Sequence, residues 1–278
     1  MKLISFHKKH IMTYKLTTLF CLTILFSNVL VAQNKSVTLD YYYNNEYKIN
    51  PDNTKERFHY IWEDKTLNGY SIWGSIFNEK GLTTKKLETA PNSENLKGTS
   101  IYIITDPDNQ KESPNPNYMT DDAVKVIANW VKQGGVLVMM TNDSANAELP
   151  HFNLLADAFG IHFTDKVRNS VIKDISVGKV MVSENQDVFK TARTLYLKGI
   201  STITVTGNAK AVVEDKGDII MASVKYGKGT VFAIGDPWIY NEYIVNDRLS
   251  AEFQNGLAAK EFTDWLIQQI PNSKTTKK

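Results

Sequence analysis

The stretch Gly134-Gly135-Val136-Leu137-Val138-Met139-Met140-Thr141-Asn142-Asp143 carries the pattern that decides the fold. A glycine pair is typical of a helix end, and the run that follows is apolar at every position. Such a run predicts a strand buried on both faces, as strands of parallel sheets are. The polar Asn142-Asp143 turn then stands where the carboxyl end of this strand is expected.

The same succession occurs at two other places in the chain. Residues 101–105 are followed by Asp106-Pro107-Asp108, and residues 231–235 are followed by Asp236-Pro237-Trp238. Ligands of open α/β sheets bind outside the carboxyl ends of the strands. Three such ends that carry Asp and Asn therefore predict a polar pocket on one rim of the sheet.

Alternating strand and helix patterns precede a run of short strands. Strands are predicted over residues 37–43, 82–87, 100–105 and 136–141, and helices over residues 70–80, 120–133, 151–159 and 251–270. Residues 169–235 contain period-two runs separated by glycine turns, which predict hairpins. We therefore predict an α/β fold with three layers, whose mainly parallel sheet has an antiparallel β extension.

The first 32 residues have the pattern of a secretory signal peptide. Four lysines precede or open an apolar stretch over residues 16–31, and Ala32 follows it. The predicted organisation is this leader, one domain over residues 33–270, and a flexible Lys-rich tail over residues 271–278. We expect export to the periplasm or beyond, with no membrane anchor.

Removal of the leader changes the charge and the available chemistry. The chain has 32 basic and 30 acidic residues, so loss of four lysines leaves 28 basic residues and a net charge of −2. This balance argues against a nucleic-acid partner. Cys21 is the one cysteine of the sequence and leaves with the leader. Disulfides, thiolate metal sites and cysteine nucleophiles are therefore excluded from the mature part.

Polar loops after the predicted strands contain the first candidate site residues. Asp106 and Asp108 could bind a metal, act as acid and base, or hydrogen-bond sugar hydroxyls, but Asp beside Pro is also common turn chemistry. Asp236 repeats the Asp-Pro pair at another strand end, which favours a function. The loop after the fourth strand carries polar residues that are either catalytic and binding groups or a solvated helix cap. They are Asn142, Asp143, Asn146, Glu148 and His151.

Two aromatic segments provide further candidates. Residues 57–64 interleave aromatic and ionisable side chains, with His59 as acid or base and Trp62 as a surface for a sugar ring. A half-buried strand would show the same alternation. Tyr240-Asn241-Glu242-Tyr243 adds two phenols, an amide and a carboxylate after the third strand end.

Several stretches of the chain resemble known protein families. Residues 225–236 resemble the glycine-turn hairpin of glutamine-amidotransferase-like domains, which have a flavodoxin-like sheet. Class I amidotransferases need a cysteine nucleophile, so their activity is not expected here. More specifically, the chain resembles the domain that follows the catalytic barrel in Bacteroidetes unsaturated glycuronyl hydrolases, in residues 39–46, 57–69, 106–118, 142–153 and 235–243. Its stand-alone form resembles the oligosaccharide dehydratases of marine ulvan-degrading bacteria.

The resemblance implies a lyase in polysaccharide degradation. Such an enzyme removes water from the non-reducing-end uronic acid of an ulvan-type anionic oligosaccharide and leaves a 4,5-unsaturated sugar. An unsaturated glycuronyl hydrolase would then consume that product. The alternative is a non-catalytic carbohydrate-binding accessory module. The resemblance indicates which stretches are shared and assigns no residue a catalytic role.

Elimination of water requires a base and an acid. The base takes the proton at C5, which is acidic because of the adjacent carboxyl group, and the acid protonates the departing C4 hydroxyl. The candidate bases are His151 and His59, and the candidate acids are Tyr118, Tyr240 and Glu242.

The substrate carboxylate must also be neutralised, or the developing enolate is too costly. Arg168, Asn142 and Asn146 are the candidates for this role, and Trp238 or Trp62 would stack on the ring. The whole predicted substrate-binding set is Asp106, Asp108, Asn142, Asp143, Asn146, Arg168, Asp236, Trp238, Trp62 and Asn241. No cofactor is expected, although the aspartates are numerous enough to bind a divalent cation.

Overall fold

The apolar run of residues 136–140 lies inside a nine-stranded sheet in the computed structural model, which describes residues 35–184, 187–245 and 248–271. These residues belong to one compact unit. The predicted leader, and the predicted tail beyond residue 271, lie outside them. In the described part of the chain, every helix is too short or too polar to cross a membrane.

The strands follow the predicted alternation closely. They are β1 (Ser36–Asp40), β2 (Tyr47–Ile49), β3 (Lys55–Arg57), β4 (Thr83–Leu87), β5 (Ile101–Thr105), β6 (Val136–Met140), β7 (Ile161–Arg168), β8 (Lys179–Val182), β9 (Arg193–Tyr196), β10 (Ile200–Val205), β11 (Lys210–Asp215), β12 (Asp218–Tyr226) and β13 (Gly229–Ile234). The helices are α1 (Ser71–Glu79), α2 (Asp121–Gln133), α3 (Leu149–Asp157), α4 (Asn241–Val245) and α5 (Asn255–Gln269).

The large sheet has a parallel half and an antiparallel half. Strands β4, β1, β5, β6 and β13 are parallel neighbours in that order. Strands β12, β10 and β7 then continue the sheet in antiparallel pairs, and β11 also pairs with β12. This arrangement confirms the predicted mixed α/β class, with a parallel central sheet and an antiparallel extension.

The register of the parallel strands brings three strand ends level. Thr105 at the end of β5 pairs with Met140 at the end of β6, and Met140 also pairs with Ile234 at the end of β13. The polar turns that follow these strands therefore begin at one edge of the sheet, as the sequence predicts.

Alternate residues of β6 pack into two different cores. Val136, Val138 and Met140 pack on the face covered by α1 and α5, whereas Leu137 and Met139 pack on the face covered by α2 and α3. All five side chains are fully buried. The sheet is thus the middle of three layers, and its apolar strands are covered on both faces.

Helix boundaries follow from identifiable hydrogen bonds. The Thr120 side chain accepts from the Ala123 backbone N–H, which caps α2 as predicted. Helix α3 begins at Leu149, before the predicted start, because the Glu148 side chain accepts from the His151 backbone N–H. Helix α5 begins four residues after the predicted start, because the Asn255 side chain is held between the backbone N–H and C=O of Tyr196.

The core around β13 allows a direct test of this packing. Phe232 is fully buried, and its ring centroid lies 4.6 Å from that of Phe262 on α5. We expect Phe232→Ala to lower the free energy of unfolding by about 3–5 kcal/mol, because it leaves a cavity between sheet and helix. Urea unfolding measures the change. Leu257→Ala, on the half-exposed face of α5, is the control and should cost less than about 1 kcal/mol.

Candidate functional site

A cavity of about 470 Å³ opens beside the carboxyl ends of the parallel strands. Its walls come from the loops that follow β3, β5, β6, β7, β9 and β13. The lining residues are His59, Tyr60, Asn68, Asp106, Glu112, Asn142, Asp143, Asn146, Ser170, Val171, Ile172, Lys198, Gly199, Tyr240, Glu242 and Tyr243. The volume is in the range of small-molecule sites.

The cavity adjoins the point where the strand order reverses. From β1, the next parallel strand along the chain, β4, lies on one side, and the following one, β5, lies on the other. The loops after β1 and β5 therefore separate at this point and leave a crevice, which is where ligands of open α/β sheets bind. Residues 41–46 and 106–112 are the segments that border it.

Asp106 is the most unusual residue of the site. Its backbone is in the left-handed region, with φ of 46°, and its N–H donates to the carbonyl of Met140 over 2.8 Å. Its side chain is almost fully buried, yet Oδ1 has no hydrogen-bond partner. Burial and the nearby carboxylates of Glu112 and Glu46 raise the pKa of Asp106 well above its usual range.

Asp106 belongs to a group of three carboxyl side chains. Oxygen atoms of Glu46, Asp106 and Glu112 all lie within 4.8 Å of one another. Glu46 is buried and contacts His59 Nδ1 over 3.1 Å. Burial, with a contribution from the charge of Glu46, raises the pKa of Glu112 to about 7. The negative charges of this group therefore oppose one another.

Asp108 lies beneath the group and is fully buried. Its Oδ2 accepts from the Asn45 backbone N–H over 2.9 Å, whereas Oδ1 is unpartnered. Burial raises its pKa to about 8. The guanidinium of Arg57 is close enough to oppose this rise, but its hydrogen bonds go to the carbonyls of Tyr41 and Asn44 and to the Tyr47 hydroxyl.

Two tyrosines form the wall between the acidic group and α4. The hydroxyls of Tyr60 and Tyr240 lie 2.8 Å apart, and burial raises the pKa of both phenols well above the usual value. Tyr60 has a φ of 44°, so the loop before α1 is turned sharply to present this ring. Both phenols keep their protons at neutral pH, and a proton can be transferred between them through this hydrogen bond.

Another part of the lining comes from the loops that follow β6 and β9. Asp143 Oδ2 accepts from the Asn146 side-chain amide over 3.0 Å, and a Cβ on Gly199 would lie 3.0 Å from the same oxygen. Lys198, next to Gly199, provides a primary amine in the lining. Its backbone N–H donates to Asp236 Oδ2 over 2.7 Å, which holds this loop on the end of β13.

The structure brings part of the predicted site together. The predicted residues that line the cavity are His59, Asp106, Asn142, Asp143, Asn146, Tyr240 and Glu242. Asp108 and Asp236 are buried and do not line it, but Asp236 accepts a hydrogen bond from the backbone N–H of the lining residue Lys198. The turns after β5 and β6 therefore meet at one polar pocket, whereas the lining contains no residue of the Asp236-Pro237-Trp238 turn after β13.

Other predicted residues lie outside the lining and have structural contacts. His151 stacks on Tyr118 with ring centroids 4.5 Å apart, and His151 Nδ1 lies 2.7 Å from Glu148 at the start of α3. Arg168 is half-buried on the antiparallel extension and pairs with Asp215 and Asp218.

Three further predicted residues also have structural roles. Trp62 donates from Nε1 to the Lys85 carbonyl and packs against the core. Trp238 is fully buried in the core beneath α5. The Asn241 side-chain amide donates to the carbonyls of Asp64 and Thr66, and its Oδ1 accepts from the Ile72 N–H. These contacts fix the start of α1 against α4.

Sequence analysis did not select several residues of the site. Glu46, Glu112 and Lys198 belong to segments without a periodic pattern, and Tyr60 lies in the aromatic segment of residues 57–64, from which His59 and Trp62 were selected. Glu46 and Glu112 follow β1 and β5 at a distance of several residues. The rule that polar residues after parallel strands meet at one edge could have selected both, had it been applied to the whole of the loops after β1 and β5.

Comparison with known proteins identifies solved structures of similar fold but does not identify a family. No protein-family model and no curated protein matches the chain. Among solved structures, the mmIFT52 N-terminal domain matches with a TM-score of 0.59 and 18% identity over 84% of this chain and 97% of that domain. Cytoplasmic protein STM3548 from Salmonella typhimurium matches with a TM-score of 0.54 and 14% identity over 85% of this chain and 98% of that one.

A second Salmonella protein matches at a similar level. Cytoplasmic protein STM1381 from Salmonella typhimurium LT2 has a TM-score of 0.50 and 14% identity, over 85% of this chain and all of its own. At such identities the likeness extends to the fold alone.

The buried Asp236 gives the site a dependence of stability on pH. Burial raises its pKa from 3.8 to about 7, with Lys198 opposing the rise and Asp143 adding to it. The folded protein therefore binds more protons than the unfolded chain between these values. This contribution is fully present below about pH 4 and is lost as the pH rises through about 7.

We expect Asp236→Asn to flatten the fall in unfolding free energy between about pH 4 and pH 7. The group accounts for up to about 1.4 kcal/mol per pH unit in this range. Urea unfolding of both proteins at several pH values measures the slope. Equal slopes in the two proteins would contradict the assignment.

Proposed function

We propose that the protein is a dehydratase that removes water from the non-reducing-end uronic acid of an anionic, ulvan-type oligosaccharide. The observation that carries this proposal is the pocket itself, in which a histidine held by a carboxylate lies in one cavity with a hydrogen-bonded tyrosine pair. A base, an acid and groups for a carboxylate are the parts that the elimination needs. The product would be a 4,5-unsaturated uronosyl end.

His59 is the proposed base. Its Nδ1 lies 3.1 Å from both carboxylate oxygens of Glu46, and its side chain is partly exposed to the cavity. A carboxylate at Nδ1 favours the tautomer whose Nε2 is free to accept a proton. His59 would take the C5 proton, and the electron pair of the C–H bond would become the new double bond.

Tyr240 is the proposed acid. Its phenol keeps its proton at neutral pH because burial raises its pKa, and the Tyr60 hydroxyl 2.8 Å away can replace that proton. Tyr240 would protonate the C4 hydroxyl as the C4–O bond breaks, so that water leaves. Tyr118, an alternative in the sequence, stacks on His151 outside the lining.

The substrate carboxylate needs groups that neutralise it as charge develops. Lys198, Asn142 and Asn146 line the same cavity as the tyrosine pair and can donate hydrogen bonds. Lys198 therefore takes the role that the sequence suggested for Arg168.

The fold proposal can be made finer as well. Numbered in chain order, the five parallel strands lie in the order 2-1-3-4-5. This is the order of flavodoxin-like sheets, whose ligand site lies between strands 1 and 3. We infer a flavodoxin-like arrangement, with the acidic group at that position. Export, and work beside an unsaturated glycuronyl hydrolase, belong to the same proposal.

A non-catalytic carbohydrate-binding module is the alternative. Such modules depend on flat aromatic rings that stack on sugars. Trp62 and Trp238 were the candidates for stacking, but both pack against the protein and neither lines the cavity. The observed placement therefore favours the enzyme.

The reaction is tested with oligosaccharides that end in a saturated uronic acid. We expect loss of one water by mass and a rise in the ultraviolet absorbance of a conjugated acid. His59→Gln should lower kcat by at least about 100-fold, because the base is removed. His151→Gln is the matched control and should keep turnover, since His151 lies outside the lining. Full turnover by His59→Gln would reject this base.

The acid is tested separately. Tyr240→Phe should lower kcat by about 100-fold with little change in KM, because the phenol proton is needed only as the C4–O bond breaks. Tyr118→Phe makes the same chemical change outside the cavity and should leave kcat unaltered. Sugar binding by the unmodified protein without any loss of water would favour the accessory module.

A further inference from the structure

The three carboxyl groups at the β1–β5 crevice are arranged as ligands of an ion. We propose that Glu46, Asp106 and Glu112 bind a divalent cation of the calcium type, with its open coordination positions facing the cavity. Ca²⁺ takes oxygen ligands at about 2.3–2.6 Å, so ligands on opposite sides of the ion are up to about 5 Å apart. Oxygen atoms of the three residues lie within 4.8 Å of one another, which an ion of this size can bridge.

Unpartnered buried atoms support the proposal independently of the clustering. In the part of the chain that the structure describes, the buried side-chain atoms without a hydrogen-bond partner belong to Asn44, Asp106, Asp108, Thr141 and Trp238. Asp106 is 2% exposed and its Oδ1 is one of these atoms, while an oxygen of the same carboxyl group lies within 4.8 Å of oxygens of Glu46 and Glu112. A buried carboxylate oxygen with no partner is costly, and a cation would satisfy it.

The basic side chains Arg57 and His59 do not already form ion pairs with Asp106 or Glu112. Arg57 directs its hydrogen bonds to backbone carbonyls and to the Tyr47 hydroxyl. His59 contacts Glu46 through Nδ1, at the side of the group. Asp106 and Glu112 are left without a salt bridge among those that the described residues form.

The donor chemistry selects the kind of ion. Carboxylate oxygens suit hard cations such as Ca²⁺, Mg²⁺ and Mn²⁺, whereas Zn²⁺ and Cu²⁺ favour sites with imidazole or thiolate ligands. Two of the three carboxyl groups, those of Asp106 and Glu112, line the cavity. Waters or an anionic ligand in the cavity could therefore complete the coordination. The inference concerns binding and does not depend on the proposed dehydratase.

Calorimetric titration of the chelator-treated protein with CaCl₂, without any sugar, tests the site. We expect one ion per chain and a rise in melting temperature that grows with ion concentration. MgCl₂ and MnCl₂ are titrated in the same way, and tighter binding of either at the same residues would also support the proposal. No binding of any of the three ions at millimolar concentration would overturn it.

Variants place the ion at these residues. Asp106→Asn keeps the left-handed backbone that Asn tolerates, and Glu112→Gln keeps the side-chain length. Each should weaken Ca²⁺ binding by at least about 10-fold, because a charged ligand is lost. Glu242→Gln makes the same change elsewhere in the cavity lining and should bind Ca²⁺ as the unmodified protein does. Equal affinity in all three variants would overturn the assignment.

Tb³⁺ luminescence tests the site in the unmodified protein, so the result does not depend on how well a variant folds. Tb³⁺ replaces Ca²⁺ at oxygen sites, and its emission is sensitised by a nearby phenol, here Tyr60 in the same lining. We expect Tyr-sensitised emission from the unmodified protein that CaCl₂ displaces. Emission that CaCl₂ fails to displace would count against the site.

Discussion

Burial of β6 on both faces is the constraint on which the rest of the molecule depends. A strand whose five residues are all fully buried has no side for polar groups, so the nearest polar side chains must stand beyond its ends. The register with β5 and β13 brings three strand ends to one level. Through that alignment, Asp106 after β5 and Asn142 and Asp143 after β6 reach the lining of one cavity.

Much of the fold could be predicted because its signals are local. The apolar runs, the Thr120 cap and the glycine after α2 each act within a few residues. The start of α5 could not be predicted in this way. Asn255 forms hydrogen bonds with the backbone of Tyr196, which is far away in the chain, and the sequence of residues 251–255 does not predict that contact. Helix ends set by tertiary hydrogen bonds are therefore misplaced even where the helix itself is found.

The candidate site was predictable where it depends on strand ends and not where it depends on side-chain direction. Asp106, Asn142 and Asp143 follow buried strands directly and do line the cavity. Trp62 and Trp238 are residues of the type that stacks on sugars. The sequence does not distinguish a tryptophan that packs in the core, as these two do, from one that lines a pocket. Arg168 is engaged by Asp215 across a hairpin, a pairing that only the folded sheet creates.

The tyrosine pair joins parts of the chain that are 180 residues apart, so the pocket exists only when the sheet is complete. No fragment of the chain can hold it, and a bound ligand would stabilise the entire domain and not one segment. Loops that follow different strands also hold one another, because the Lys198 backbone N–H donates to Asp236 after β13 and the Glu148 backbone N–H donates to the Pro107 carbonyl after β5. A change in one loop is therefore felt in its neighbours, and the pocket is a property of the whole sheet edge.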